Sequence, residues 1–220
     1  MFTFSNIQKI YPQLKTGDLL LCSWHNPRCK SCCDCLFNNF DSCIKWGSHG
    51  NWTHSAVILK DPTFIHHSLK GLYVWESSRE ANADPQDGKK KIGVQITPLK
   101  ELLDSYKGSG VVIVRQVHSN LFTNENLKKV HDVVYGKPYD LNPIDWVEAF
   151  LKKDLNPQKT SRFWCSALCA FIYTKCGLLD PKTDWSIVSP NDFDIANDGI
   201  KGGLVWINNN KLASNELRIV

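Results

Sequence analysis

Cys165, His54 and Glu76 lie far apart along the chain, yet their types and settings suit nucleophilic chemistry. Cys165 belongs to SRFWCSALCAFIYTKCGLL (161–179), a run with three cysteines. Cys165, Leu168, Cys169, Ile172 and Cys176 recur at helical spacing and predict a single apolar stripe. Cysteine in such a stripe packs as a small hydrophobe, and that reading covers Cys169 and Cys176. Cys165 differs by position. With Ser161 or a near neighbour as N-cap it falls in the first turn, where unpaired amides and the helix dipole favour a thiolate. The same amides can donate to an oxyanion forming on a substrate carbonyl. On this segment alone, a nucleophile and a plain buried helix both fit.

A thiol nucleophile needs a base, and the base needs a group to orient it. Of the seven histidines, His25 and His49 sit in polar loop sequence, His66 and His67 in a turn, and His118 after a strand. His131 lies on a helix whose outer face carries Lys128 and Lys129. His54 opens the strand THSAVILK (53–60) on the face shared with Ala56 and Ile58, a setting that suits a base and equally a hydrogen-bonded core histidine. Glu76 ends LYVWES (72–77) on the face of Leu72 and Val74. A carboxylate there requires a partner unless it is solvated at the strand end. Directly opposite His54 on a neighbouring strand, it would fix the imidazole tautomer.

The elements that must position these residues read as strands first and helices later. TGDLLLCSW (16–24), 53–60, 72–77, GVQITPL (93–99) and VVIVRQV (111–117) carry strand patterning. TNENLKKVHDVVYG (123–136) reads as a capped helix with a Gly stop, and NPIDWVEAFLKK (142–153) as another with Pro in its first turn. Gly177 is the expected C-cap of the Cys165 helix. GLVWI (203–207) and ELRIV (216–220) are read as short closing strands, and 80–91 as a charged surface loop. This order predicts an α+β fold in one domain spanning 1–220.

Composition narrows the function classes. A net charge of +4 is mild and lacks the basic stripe of a nucleic-acid binder. No apolar run spans a bilayer and the first residues do not form a secretory signal, so the expected compartment is the cytoplasm with reduced thiols. Nine cysteines, an odd count, argue against a complete disulfide framework.

LKTGDLLL, WTHSAVIL, VWES, YGKPYDL, FWCSALCAFIY and SPNDF occur in an order that resembles the circularly permuted branch of the NlpC-type papain-like superfamily, which includes bacterial YiiX-like proteins and a related poxvirus protein. The resemblance covers about 14–193. It implies a small antiparallel sheet or half-barrel packed against the helix that bears the nucleophile. It further implies Cys165 as nucleophile, His54 as base and Glu76 as third member, with Tyr139, Trp164 and Ser166 at the oxyanion or pocket. The implied activity is that of a cysteine hydrolase or acyltransferase acting on a peptide amide or a fatty-acyl group through a thioester, with no cofactor. Its setting would be the cytoplasm, or a host cytoplasm or virion if the chain is viral. Ala167 departs from the family's Tyr-Cys-Ser-Glu-Leu string and removes a charge beside the nucleophile. Trp24, Trp52, Trp75 and Trp164 are close enough in sequence to line an acyl pocket, although core packing explains them as well.

A second departure is a Cys-rich insert at about 22–50, with Cys22, Cys29, Cys32, Cys33, Cys35 and Cys43. Cys29, Cys32, Cys35 and Cys43 could hold zinc, but only one clean ligand pair is visible, so reduced thiols, a disulfide and acylation with peripheral membrane contact stay open. The competing function class is therefore a non-catalytic interaction module with a metal-binding or acylated insert.

Overall fold

The computed structural model describes residues 9–24, 50–79, 83–141, 158, 160–198 and 203–220. The Cys-rich insert, including Cys29, Cys32, Cys33, Cys35 and Cys43, and the helix expected over 142–153 fall outside the described residues.

The chain is α+β. Six strands, β1 (Leu19–Trp24), β2 (His54–Lys60), β3 (Leu72–Ser78), β4 (Gly93–Pro98), β5 (Gly110–Val117) and β6 (Leu212–Arg218), form one antiparallel sheet in the order β4-β3-β2-β1-β5-β6. Among the described residues β4 and β6 are the edges, and the sheet does not close on itself. Three α-helices accompany it among the described residues: α1 (Leu99–Tyr106), α2 (Asn124–Val134) and α3 (Cys165–Lys175).

Both faces of the sheet are covered. Leu20, Cys22, Ala56, Ile58, Val74 and Val112 pack with Leu99, Leu102, Leu103 and Tyr106 of α1. Leu19, Leu21, Val57, Leu59, Trp75 and Ile113 pack with α2 and α3 on the other side. This double burial explains why β1 reads as an unbroken apolar run, a pattern more usual in sheets flanked by helices.

α3 differs from the expected amphipathic helix. All ten residues from Cys165 to Thr174 are buried, because Phe163, Trp185 and Phe193 pack around it as well as the sheet. Its end is the expected one. Gly177 at φ +80° supplies the left-handed turn, while the amides of Gly177 and Leu178 donate to the carbonyls of Thr174 and Tyr173 at 3.0 and 2.8 Å, which is the Schellman arrangement. The segment 203–207 forms only an isolated bridge, Leu179↔Trp206, and not a strand. It pairs with the turn after α3 through Asp180 N to Val205 O at 2.9 Å and Ile207 N to Leu178 O at 2.8 Å.

Candidate active site

The N-terminus of α3 is set against the start of β2. Trp164 is the N-cap and makes no side-chain cap bond, although Ser, Thr, Asp or Asn is the stabilising choice there. Cys165 is therefore the first helical residue, within the reach of the dipole, and the cap is Trp164 where Ser161 or a neighbour was expected. The backbone amide of Ser55 and the imidazole of His54 are close enough to the Cys165 sulfur to lower its pKa. One turn further along, Cys169 Sγ lies 3.6 Å from Ser55 Oγ.

His54 Nε2 lies 2.7 Å from Glu76 Oε2. That leaves Nδ1 for the sulfur. The pairing is diagonal. β2 and β3 are in register from Val57↔Trp75 to Lys60↔Leu72, and continuing that register sets Glu76 beside Ala56, one pleat from His54. Gln95 on β4 is directly opposite Glu76. Thr97 Oγ1 donates to Glu76 Oε1 at 2.6 Å, with Gln95 Nε2 at 3.5 Å. A carboxylate buried to 4% exposure is thus held on both oxygens.

The charges reinforce one another. Burial alone would lower the imidazole pKa, but hydrogen bonds to Cys165 and Glu76 outweigh it and raise it to about 10. Burial alone would raise the Cys165 thiol. The His54 partner, the Ser55 amide and the charge of Arg79 bring it below its ordinary range instead. Glu76 is lowered despite burial, chiefly by His54 and then by Thr97. The other described cysteines go the opposite way: burial pushes Cys22 and Cys169 up strongly and Cys176 up to about 12. Cys165 alone among the described cysteines has its pKa lowered, beside an imidazole whose pKa is raised.

A cleft of about 100 Å³ opens beside this group, lined by Trp24, Thr53, His54, Glu76, Arg79 and Tyr139 among others. Tyr139 shares this lining with His54 and Glu76. Trp164 and Ser166 do not line the cleft: Trp164 Nε1 donates to Val188 O at 3.0 Å and Ser166 Oγ to the same carbonyl at 2.7 Å. Their donors anchor the N-terminus of α3 to the loop before residue 189. Of the four tryptophans considered for an acyl pocket, Trp24 alone lines the cleft. Trp75 is 1% exposed in the core, and Trp52 Nε1 is bound to Asp194 Oδ2 at 2.8 Å. Ala167 is buried in the core, where a carboxylate would need a partner.

Several contributors escaped the sequence reading. Thr97 and Gln95 lie on the expected strand 93–99, and Arg79 directly before the expected surface loop at 80–91. Asn191, in SPNDF, accepts the Trp52 amide at 2.9 Å and donates to the Trp52 carbonyl at 3.0 Å. A Cβ on Gly50 would collide with the Asn191 side chain. Asn191 and Asp194 together pin the segment that delivers His54 into β2, and only the SPNDF match offered a hint of it.

No model of a known protein family matches this chain, and no curated protein matches it in sequence.

Proposed function

We propose that the protein is a cysteine hydrolase or acyltransferase acting on an amide or ester carbonyl, with the permuted papain-like arrangement in which the His-bearing strand precedes the Cys-bearing helix. The observation that carries this reading is His54 held at 2.7 Å by a buried Glu76 and close enough to the Cys165 sulfur for each to shift the other's pKa. Thiolate, imidazolium and orienting carboxylate are the parts that an acyl-transfer cycle requires.

In the first half-reaction the Cys165 thiolate attacks the carbonyl carbon and the C=O π electrons move to oxygen. The backbone amide of Cys165, first in α3, donates to that oxyanion, and Tyr139 lines the cleft beside His54. Collapse of the tetrahedral adduct breaks the bond to the amine or alcohol, which leaves with the proton of His54, and a thioester remains on Cys165. In the second half-reaction neutral His54 takes a proton from water or another acceptor as it adds to the thioester. Collapse returns the thiolate, restores the imidazolium and releases the acyl product. Glu76 stays ionised throughout and stabilises the charged ring.

The test is intact-mass analysis after incubation with peptide and ester substrates. An acyl adduct should form on the wild-type protein, map to Cys165 and be absent from Cys165→Ala. A Cys165→Ala protein that turns over substrate as fast as wild type would refute the assignment.

A further inference from the structure

Near its end β3 carries two adjacent polar residues, Glu76 and Ser77, whose side chains alternate between the faces of the sheet. Glu76 holds His54 at 2.7 Å. Ser77 shares its face with Trp75, which packs on the side of α2 and α3, and it is fully buried. A buried hydroxyl needs a partner. This one donates to the Phe163 carbonyl at 2.6 Å, across 86 residues of sequence, and Phe163 lies two residues before Cys165. The same carbonyl accepts the Asp140 amide at 3.2 Å, and the Phe163 amide donates to Pro138 O at 3.1 Å. The chain entering α3 is thus held by backbone bonds to 138–140 and by a side chain of the sheet. Trp164 and Ser166 are tied elsewhere, both to Val188 O, outside the sheet. The Ser77 hydroxyl joins the lead-in of the nucleophile directly to the strand that carries the carboxylate.

We propose that Ser77 is a positioning residue: its bond to the Phe163 carbonyl sets the distance from the Cys165 sulfur to the His54 ring, and through it the readiness of Cys165 to react. The inference rests on Cys165 and His54 being the reacting pair. Residues 76 and 77 are covalent neighbours, so a shift of β3 moves the carboxylate and the helix lead-in together and keeps the three groups in step. Reacting geometry is steep, since a misplacement of about 1 Å can cost about 10²-fold. Stability depends on the bond less, because the Asp140 amide still satisfies the Phe163 carbonyl when the hydroxyl is gone. A hydroxyl that served the fold alone would show the reverse, a loss of stability with the thiol unaltered.

The test is the pH profile of Cys165 alkylation by iodoacetamide, in which the sulfur bonds to the methylene carbon as iodide leaves. Rates are read at the Cys165 peptide by mass spectrometry on the folded full-length protein, in wild type, Ser77→Ala, His54→Ala and the double variant. In the wild-type background Ser77→Ala should move the profile towards the ordinary thiol midpoint, about pH 8.5, and lower the rate below that midpoint about tenfold, the size of one pKa unit. Its urea midpoint should change little. In the His54→Ala background the same substitution should move nothing further, since the ring against which the sulfur is placed is gone. A Ser77→Ala profile superimposed on wild type, or an equal displacement in both backgrounds, would overturn the role of Ser77 while leaving Cys165 and His54 as the pair. Superimposed wild-type and His54→Ala profiles would overturn the pair itself, and this inference with it. Should Ser77→Ala not fold, Ser77→Cys takes its place. It is nearly isosteric and replaces the hydroxyl with a weak donor, and the same outcomes apply because Cys165 is read in its own peptide.

Discussion

His54 lies between two anions, and its protonation state is the pivot of the site. Folding favours the charged ring, since its pKa is raised to about 10. The stability this contributes is complete below about pH 6.5, the ordinary histidine value, and is lost as the pH rises through the folded one. Cys165 has the opposite sign: its lowered pKa favours the folded state above the ordinary thiol range and loses that contribution as pH falls through the depressed value. In the window between, the ion pair is the stable form. Glu76→Gln keeps the shape and removes the charge. It should lower turnover about 10²-fold, the scale of a general acid–base contribution, and move the basic limb of the pH–rate profile from near 10 to lower pH. Thr97→Val removes the 2.6 Å bond to Glu76 and should cost about 1–3 kcal/mol of stability in urea titration, with the loss greatest where Glu76 is ionised.

At the scale of elements, the site is made by docking one helix end against one strand start. α3 could slide or tilt were its N-terminus not tied to Val188 through Trp164 and Ser166, and β2 is fixed in turn by the Asn191 clamp on Trp52. Asn191→Ala leaves a buried amide and a buried carbonyl without these partners and should destabilise the fold by about 1–3 kcal/mol for each. The same change should slow Cys165 alkylation, because His54 follows Trp52 by two residues. Asn191→Asp, which keeps the acceptor and loses the donor, should fall between wild type and Ala in both measurements. The Cys165 helix and the His54 strand were legible because their signals are local: a helical repeat ending in Gly177, and alternation from His54 onward. α1 has as clear a repeat, Leu99, Leu102, Leu103 and Tyr106, yet it follows β4 without a break at Pro98 and was absorbed into the reading of that strand. The clamp joins residues 139 apart, and no window along the chain contains both ends.

Across the whole molecule, the sheet is the partition that keeps the chemistry at one end. Burial on both faces is also why period-two alternation could not tell an inner face from an outer one: Leu19, Leu20, Leu21 and Cys22 are all fully buried. The set of strands could be read from composition and turns, but their order could not, since β1 at the centre takes its neighbours β2 and β5 from opposite sides. The C-terminal region is tied to this partition by Arg115 on β5, which is fully buried. It donates to Ala213 O at 2.9 and 3.2 Å, to Phe193 O at 2.6 Å and to Asp198 at 2.6 and 3.2 Å. Arg115→Ala strands those carbonyls and should destabilise by about 1–3 kcal/mol for each one left buried, read as a lower urea midpoint. Phe193 lies two residues beyond Asn191, so the effect should also reach Cys165 reactivity, distant as Arg115 is from the sulfur.

The measurement that bears most directly on the central claim is the pH dependence of Cys165 alkylation by iodoacetamide, followed at that residue in wild type and in His54→Ala. A thiolate held by His54 predicts a wild-type rate that stays high well below about pH 8.5, the midpoint of an ordinary thiol, and a His54→Ala profile displaced to that midpoint or above it. Two superimposed profiles, both rising only at about pH 8.5 or higher, would show that the sulfur and the imidazole do not share a proton and would contradict the account.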